Sequence, residues 1–301
     1  MQQDEMWTGT LCGGEARWVA ARTTLTVEEA SRRHQASPVA AAAIGRLMTG
    51  ALLLAATFKS EGEITLRLLG DGPLQGVLAV ANRQGTVRGY AKDPQAAVPL
   101  KRPGKLDVAA AVGLGELAVS RELDNGEYYT GTAPLVSGEI AEDIAEYLLR
   151  SEQIPSAVLL GVKIEKDHHI AAAGGLLLQL LPEASESTVQ ALEERASELQ
   201  AGISQLAAEE KDMDGYVARL LGDHPFTVNE RRRVAFACSC SQSKLADILI
   251  RLGEKEIAAL IAQGKAEIVC HFCNERYAFA AEELRALQER AGSAQEKPYE
   301  D

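Results

Sequence analysis

Four of the five cysteines stand in two close pairs late in the chain, Cys238-Ser-Cys240 and Cys270-His-Phe-Cys273, with 29 residues between them. Two thiol pairs joined by a short intervening segment are the donor set of a tetrahedral zinc site, whose sulphurs stand about 2.3 Å from the metal. A closed four-thiolate site leaves no open position for a substrate, which favours a structural metal over a zinc hydrolase. The expectation is one Zn2+ per chain on Cys238, Cys240, Cys270 and Cys273. His271 and His224 are reserve ligands, better suited to surface or supporting roles. Four thiolates and one divalent cation sum to about −2, so Arg231–Arg233, Lys244 and Arg276 are candidate compensating cations. Metal-held thiolates are also the form that oxidants attack, so the site is both a fold staple and a redox fuse. Cys12 reads as a free thiol.

Other chemistry is thin. Gly70-Asp-Gly72-Pro-Leu-Gln-Gly76 has its third glycine one residue late for a dinucleotide loop, and a strand pattern follows it, so it reads as a turn. Neither a phosphate-binding Gly-x-x-x-x-Gly-Lys loop nor a Gly-x-Ser-x-Gly elbow occurs. His168-His169 reads as a solvated turn, and Glu139, Glu142, Asp143 and Glu146 as the solvated face of a helix. The chain is expected not to be an enzyme.

The elements that must position the cysteines are legible in outline. Alternating or apolar runs predict strands at Arg17–Arg22, Ile64–Leu69, Val77–Ala81, Val87–Ala91, Leu117–Leu123, Tyr128–Leu135, Val158–Ile164 and Ile170–Leu181. Asp124-Asn125-Gly126 marks a hairpin turn. Thr26 to Glu29 reads as a capping box, Ser37 and Pro38 open a long buried helix to Phe58, and Ser137 caps a helix to Arg150. Short turns between strands favour antiparallel pairing and an α+β class. From Glu183 to Arg219 there are nine acids and three bases. Val189, Leu192, Ala196, Leu199, Ile203, Leu206, Met213, Val217 and Leu220 form a heptad stripe on one helix, capped by Ser187 and Gln190. Gly202 and Gly215 each cost about 1 kcal/mol in a helix interior, so this helix is marginal. Beyond it, helices at Leu245–Leu252 and Glu256–Gln263 stop at Gly253 and Gly264. Extended segments enter Cys238 from Ala235–Ala237 and Cys270 from Glu267–Val269, and Tyr277–Phe279 leaves the site. A polar tail from Gly292 is expected to fray. The resulting organisation is a core of mostly antiparallel sheet with packed helices (1–182), a charged amphipathic helical linker (183–231) and a small zinc-binding domain with a flexible tail (232–301).

The 301 residues are 46% hydrophobic and 25% charged, an ordinary globular balance that excludes wholesale disorder. The formal charge of −12 argues against nucleic acid as the main partner. Gln35–Phe58 carries only Arg46, yet a mid-span arginine costs about 2.5–3.5 kcal/mol in a bilayer, so a buried soluble helix is expected and no membrane partner. The acidic N-terminus lacks a signal-peptide pattern, so a cytoplasmic location is expected.

Several of these motifs resemble those of a known family, the bacterial redox-regulated holdase chaperones, heat shock protein 33. The resemblance lies in Gly70-Asp-Gly-Pro-Leu74, Gly138-Glu-Ile-Ala-Glu-Asp143, Ser151-Glu-Gln-Ile-Pro-Ser156 and Ala172 to Pro182, and in Phe236-Ala-Cys-Ser-Cys-Ser241 and Cys270-His-Phe-Cys273. Trp7 and Cys12 have no counterpart in that pattern. The resemblance implies an ATP-independent chaperone that binds unfolding clients under oxidative stress. It implies a reduced, zinc-bound form that is inactive and an oxidised form that is a homodimer. It also implies that oxidation pairs Cys238 with Cys240 and Cys270 with Cys273 and releases the metal. Two other classes are open on the residues alone. A zinc-ribbon nucleic-acid module has only Arg231–Arg233 for it. A dithiol oxidoreductase using Cys270 and Cys273 would need that motif to open a helix, whereas Tyr277–Phe279 looks extended.

Overall fold

The structure, a computed structural model, describes residues 3–58, 61–123, 125–199, 202–263 and 265–295. Asp124 of the hairpin turn, the Gly264 helix stop and the last six residues of the tail lie outside the described residues. The chain forms two compact units, Met1–Ala237 and Cys238–Asp301.

The first unit opens with strands β1 (Glu5–Leu11) and β2 (Ala16–Arg22) and helices α1 (Thr24–His34) and α2 (Pro38–Ala55). Strands β3 (Glu63–Gly70), β4 (Val77–Asn82) and β5 (Thr86–Ala91) precede a short helix α3 (Val108–Val112). Then come β6 (Gly115–Glu122), β7 (Tyr128–Pro134), α4 (Ala141–Ser151), β8 (Ser156–Ile164) and β9 (Ile170–Leu180). Three helices follow, α5 (Glu186–Leu199), α6 (Ile203–Glu209) and α7 (Met213–Leu221), and then β10 (Phe226–Arg233) and β11 (Ala235–Phe236). One sheet has the order β10-β1-β2-β9-β8 and the other β11-β5-β4-β3-β6-β7. Every pair is antiparallel except β11 with β5. The class is α+β, as the short turns predict.

Helix α2 lies between the sheets, against β3, β4 and β5 of one and β2, β8 and β9 of the other. All of its 18 residues but Pro38 and Arg46 are buried, so its length and apolarity serve a core and not a bilayer. Ser37 caps it as expected, its hydroxyl accepting from Ala40 N at 3.3 Å. Arg46 Nη1 reaches Glu139 Oε2 at 2.7 Å, and Lys101 meets the other oxygen at 2.9 Å.

The linker differs most from its sequence reading. Its stripe is broken into three helices, because Gly202 is the N-cap of α6 and Glu210 is extended. Asp212 then starts α7 by accepting from Gly215 N at 2.8 Å. Gly202 therefore stands at a cap, and Gly215 lies in the first turn of α7, where its N–H is taken by the cap. The cap of α5 is Ser185, two residues before the predicted Ser187, held by Thr188 N and by Glu15. From Leu192 to Leu220 the stripe residues pack on the outer face of the five-stranded sheet, with Trp7, Leu11, Trp18, Leu159, Leu176 and Leu178.

Three further local readings need correction. Helix α1 begins at Thr24, before the predicted capping box, and Asp4 Oδ2 accepts from both Thr26 N and Oγ1 at 2.7 Å. Strands β1 and β10 went unpredicted; β10 is a charged edge strand held to β1 by backbone pairing. The acidic run is a solvated face only in part: Glu142 is exposed and Glu146 meets Arg150 at the surface. Glu139 is in the ion pairs above, and Asp143 is fully buried, its carboxylate accepting from the backbone N–H of Val136, Ser137, Gly138 and Ile140 at 2.8–3.2 Å. That carboxylate, and not Ser137, starts α4. Removing it orphans four backbone donors, those of Gly138 and Ile140 buried, so Asp143→Ala should lower unfolding stability by about 3 kcal/mol or more in a urea titration. Glu146→Ala, which loses only a surface pair with Arg150, should change it by less than about 1 kcal/mol. Equal effects would contradict the assignment.

Candidate metal centre

The second unit contains helices α8 (Gln242–Leu252) and α9 (Glu254–Ala262), strands β12 (Lys265–Val269) and β13 (Arg276–Ala280), and helix α10 (Ala281–Gln295). Helix α10 was not predicted, though Leu284, Leu287 and Ala291 carry helical spacing and are buried. It takes up the start of the expected frayed tail. The apolar core is small: Leu245, Leu249, Ile257, Ala266, Phe279 and the three α10 residues.

Each cysteine pair sits in a turn made by local sequence. Cys238 and Cys240 precede α8, whose N-cap Ser241 accepts from Lys244 N at 3.2 Å. Cys270 and Cys273 occupy the turn between β12 and β13. There Cys270 N donates to Glu275 O at 2.9 Å and Asn274 N to Cys270 O at 2.8 Å. Asn274 takes the left-handed conformation that closes the turn, φ 58°.

The four sulphurs lie within 4.8 Å of one another. Cys238 Sγ is 3.7 Å from Cys270 Sγ, and Cys240 Sγ is 3.3 Å from Cys273 Sγ. Ligands at about 2.3 Å in a tetrahedron stand about 3.8 Å apart, so a small relaxation admits a zinc ion. All five cysteines are thiols. The donor set therefore fits a structural zinc: Cys238, Cys240, Cys270 and Cys273 would hold it, and it would supply a cross-link between the two turns.

Without metal the thiols are unequal. Burial pushes Cys238 up to about 11, with Cys240 and Cys270 adding to the shift. Burial likewise raises Cys273, far above its ordinary value. Burial would raise Cys240 too, but hydrogen bonds from Tyr277 and the other three thiols outweigh it and bring Cys240 down to about 7. The Tyr277 hydroxyl donates to Cys240 Sγ at 3.2 Å. Tyr277 was not singled out as a supporting residue, although strand alternation puts it on the same side as buried Phe279. Among the expected cations, Arg276 pairs with Glu267 at 2.7 Å. Arg231 to Arg233 lie on β10, in the other unit, where Arg231 stacks on Trp7 at 4.2 Å and Arg232 pairs with Glu230 at 2.8 Å. His271 is exposed and outside the cluster of four sulphurs; His224 and Cys12 belong to the first unit.

The family model for the Hsp33 protein matches residues 4–280. The chain belongs to the Hsp33 family. This Hsp33 chain is 43% identical over 289 residues to the 33 kDa chaperonin of Desulforamulus reducens, covering 96% of this chain and 98% of that one. It is 46% identical to a 33 kDa chaperonin of Thermus thermophilus, over 93% of this chain and 85% of the relative. The crystal structure of the 33 kDa chaperonin (heat shock protein 33 homolog) from Thermotoga maritima superposes with a TM-score of 0.89 at 35% identity, over 97% of this Hsp33 chain and all of that one.

The reduced chain should bind one zinc with sulphur alone in its first shell by X-ray absorption, and Cys12→Ser should not alter metal content. Tyr277→Phe should retain the metal but weaken its hold roughly tenfold in a chelator competition. Unchanged affinity would show that the hydroxyl does not support Cys240.

Proposed function

We propose that this chain is a redox-regulated, ATP-independent holdase chaperone of the cytoplasm that binds unfolding proteins, not an enzyme. The observation that carries the reading is the apolar sheet face of Trp7, Leu11, Trp18 and Leu176 beneath a carboxylate-rich, segmented helical cover. Uncovered, that face is the kind of large apolar patch that captures non-native chains. The 33 kDa chaperonin name of its relatives supports the same reading. In functional terms the division is a core at 1–182, a releasable linker at 183–231 and a metal-bearing switch at 232–301.

The switch is the one the family resemblance implies, and the thiols have the chemistry for it. A unit with so few buried apolar residues rarely gains more than about 3–5 kcal/mol from its core, whereas a structural zinc contributes about 10–16 kcal/mol. In each pair one thiolate takes an oxygen from peroxide as sulfenic acid, with hydroxide leaving. The neighbouring thiol displaces that oxygen as water, so each peroxide removes two electrons and leaves one disulfide. The pairs are Cys238 with Cys240 and Cys270 with Cys273. Once all four sulphurs are bonded in this way, no thiolate remains to hold a divalent cation, and the unit unfolds. The path to the linker is short: β11 is two residues long and β10 is an edge strand, and they alone join α7 to Cys238. Fraying them loosens α7 and the helices before it. The oxidised form acts as a homodimer.

The competing classes fare worse. Two of the three arginines that would serve a nucleic-acid module are engaged within β1 and β10. The Cys270–Cys273 turn joins two strands and does not open a helix, unlike a dithiol oxidoreductase motif.

Peroxide with mild heat should release zinc and suppress aggregation of a thermally unfolding client in the same cuvette, without ATP, and dithiothreitol plus zinc should reverse both. Peptide mapping should find the disulfides within each turn. Full metal loss with client aggregation unsuppressed contradicts the chaperone reading. Cross-turn disulfides, following the 3.7 and 3.3 Å contacts of the reduced form, would staple the unit shut and contradict the switch.

A further inference from the structure

A row of cross-strand partners crosses the five-stranded sheet: Arg22 on β2, Gly174 on β9 and Gly161 on β8. Backbone conformation does not demand glycine at either position; space does. A Cβ on Gly161 would stand 2.6 Å from Ser204 N, 2.9 Å from Ser204 Cβ and 3.2 Å from Ile203 Cγ2. All three atoms belong to α6, and none to the sheet. A Cβ on Gly174 would stand 2.6 Å from the Tyr216 hydroxyl of α7 and 2.8 Å from Ala21 O. The two bare positions thus form a trough into which the backbone of α6 and the tip of Tyr216 settle.

The polar chemistry of the same row is poor. Arg22 is 4% exposed, and its Nη2 donates to Ala207 O in α6 at 3.4 Å, a long bond for a buried guanidinium. The Tyr216 hydroxyl is fully buried and has no hydrogen-bond partner among the described residues. Leaving a buried donor unsatisfied is costly, and a segment that undocks recovers that cost from water. The docked segment therefore combines close shape with incomplete polar satisfaction, as suits a cover that must leave.

We propose that the Arg22–Gly174–Gly161 row is a seat shaped for α6 and α7, and that its fit sets the threshold at which this segment leaves the sheet. The inference rests on the chaperone reading only for what release accomplishes. The seat itself is tested on the reduced, zinc-loaded full chain by hydrogen exchange with mass spectrometry. Gly161→Ala places a methyl whose three nearest neighbours are linker atoms, so exchange across 203–221 should rise roughly tenfold, with 63–82 unchanged. Tyr216→Phe removes the unpartnered hydroxyl and should slow exchange across the same segment roughly fivefold. The seat is overturned if Gly161→Ala leaves 203–221 unchanged or loosens the whole unit, or if Tyr216→Phe speeds exchange. Client light scattering on reduced Gly161→Ala separates the two readings: rapid exchange without client protection supports the seat and counts against the chaperone function.

Discussion

The outer face of the five-stranded sheet has to be covered. Trp7, Leu11, Trp18, Leu176 and Leu178 are all buried there, and they are buried by α5, α6 and α7. Helices of 14, 7 and 9 residues are too short to persist alone in water. Their order comes from this contact and from a few side-chain locks, such as Arg219 with Glu209 and Glu210 at 2.7 and 2.9 Å. Those locks are exposed and worth little each. Sheet face and cover therefore stand or fall together, and the apolar surface is hidden only while the segment stays docked.

The second unit has the opposite problem. Its core is too small to hold five elements together unaided, and its two cysteine turns each contribute half of a donor set. A metal held by the four sulphurs would supply the missing stability and would make the fold hostage to thiol chemistry. Supporting groups such as the Tyr277 hydroxyl, 3.2 Å from Cys240 Sγ, would then set how firmly that cross-link is held. On this account the metal governs whether the linker stays on the sheet.

Where a signal was local, the sequence was readable. Ser37 and Pro38 start α2 because a cap and a preset φ need nothing from elsewhere, and the cysteine spacing marks a four-sulphur cluster for the same reason. Most core strands followed from alternation. Residues whose partner lies far along the chain were misread. Asp143 looks like one carboxylate in an acidic run, and only the folded loop turns it inward. Asp4 caps a helix that begins twenty residues later. Strand β10 is charged and is a strand only because β1 offers it a pairing edge. The heptad stripe was correctly apolar, yet its continuity hid two breaks, since Gly202 and Asp212 serve as caps where an unbroken helix would make them interior. Helix α10 had a local signal in Leu284 and Leu287 that the expectation of a frayed tail displaced. The switch and its disulfide pairs came from family resemblance, not from geometry.

The central claim is that metal occupancy controls docking of the linker. Hydrogen exchange across residues 203–221 of the unmodified chain, followed alongside zinc release as peroxide is titrated at mild heat, tests it directly. The account predicts that protection in this segment is lost in step with the metal. Protection that persists after every zinc ion has left would contradict it.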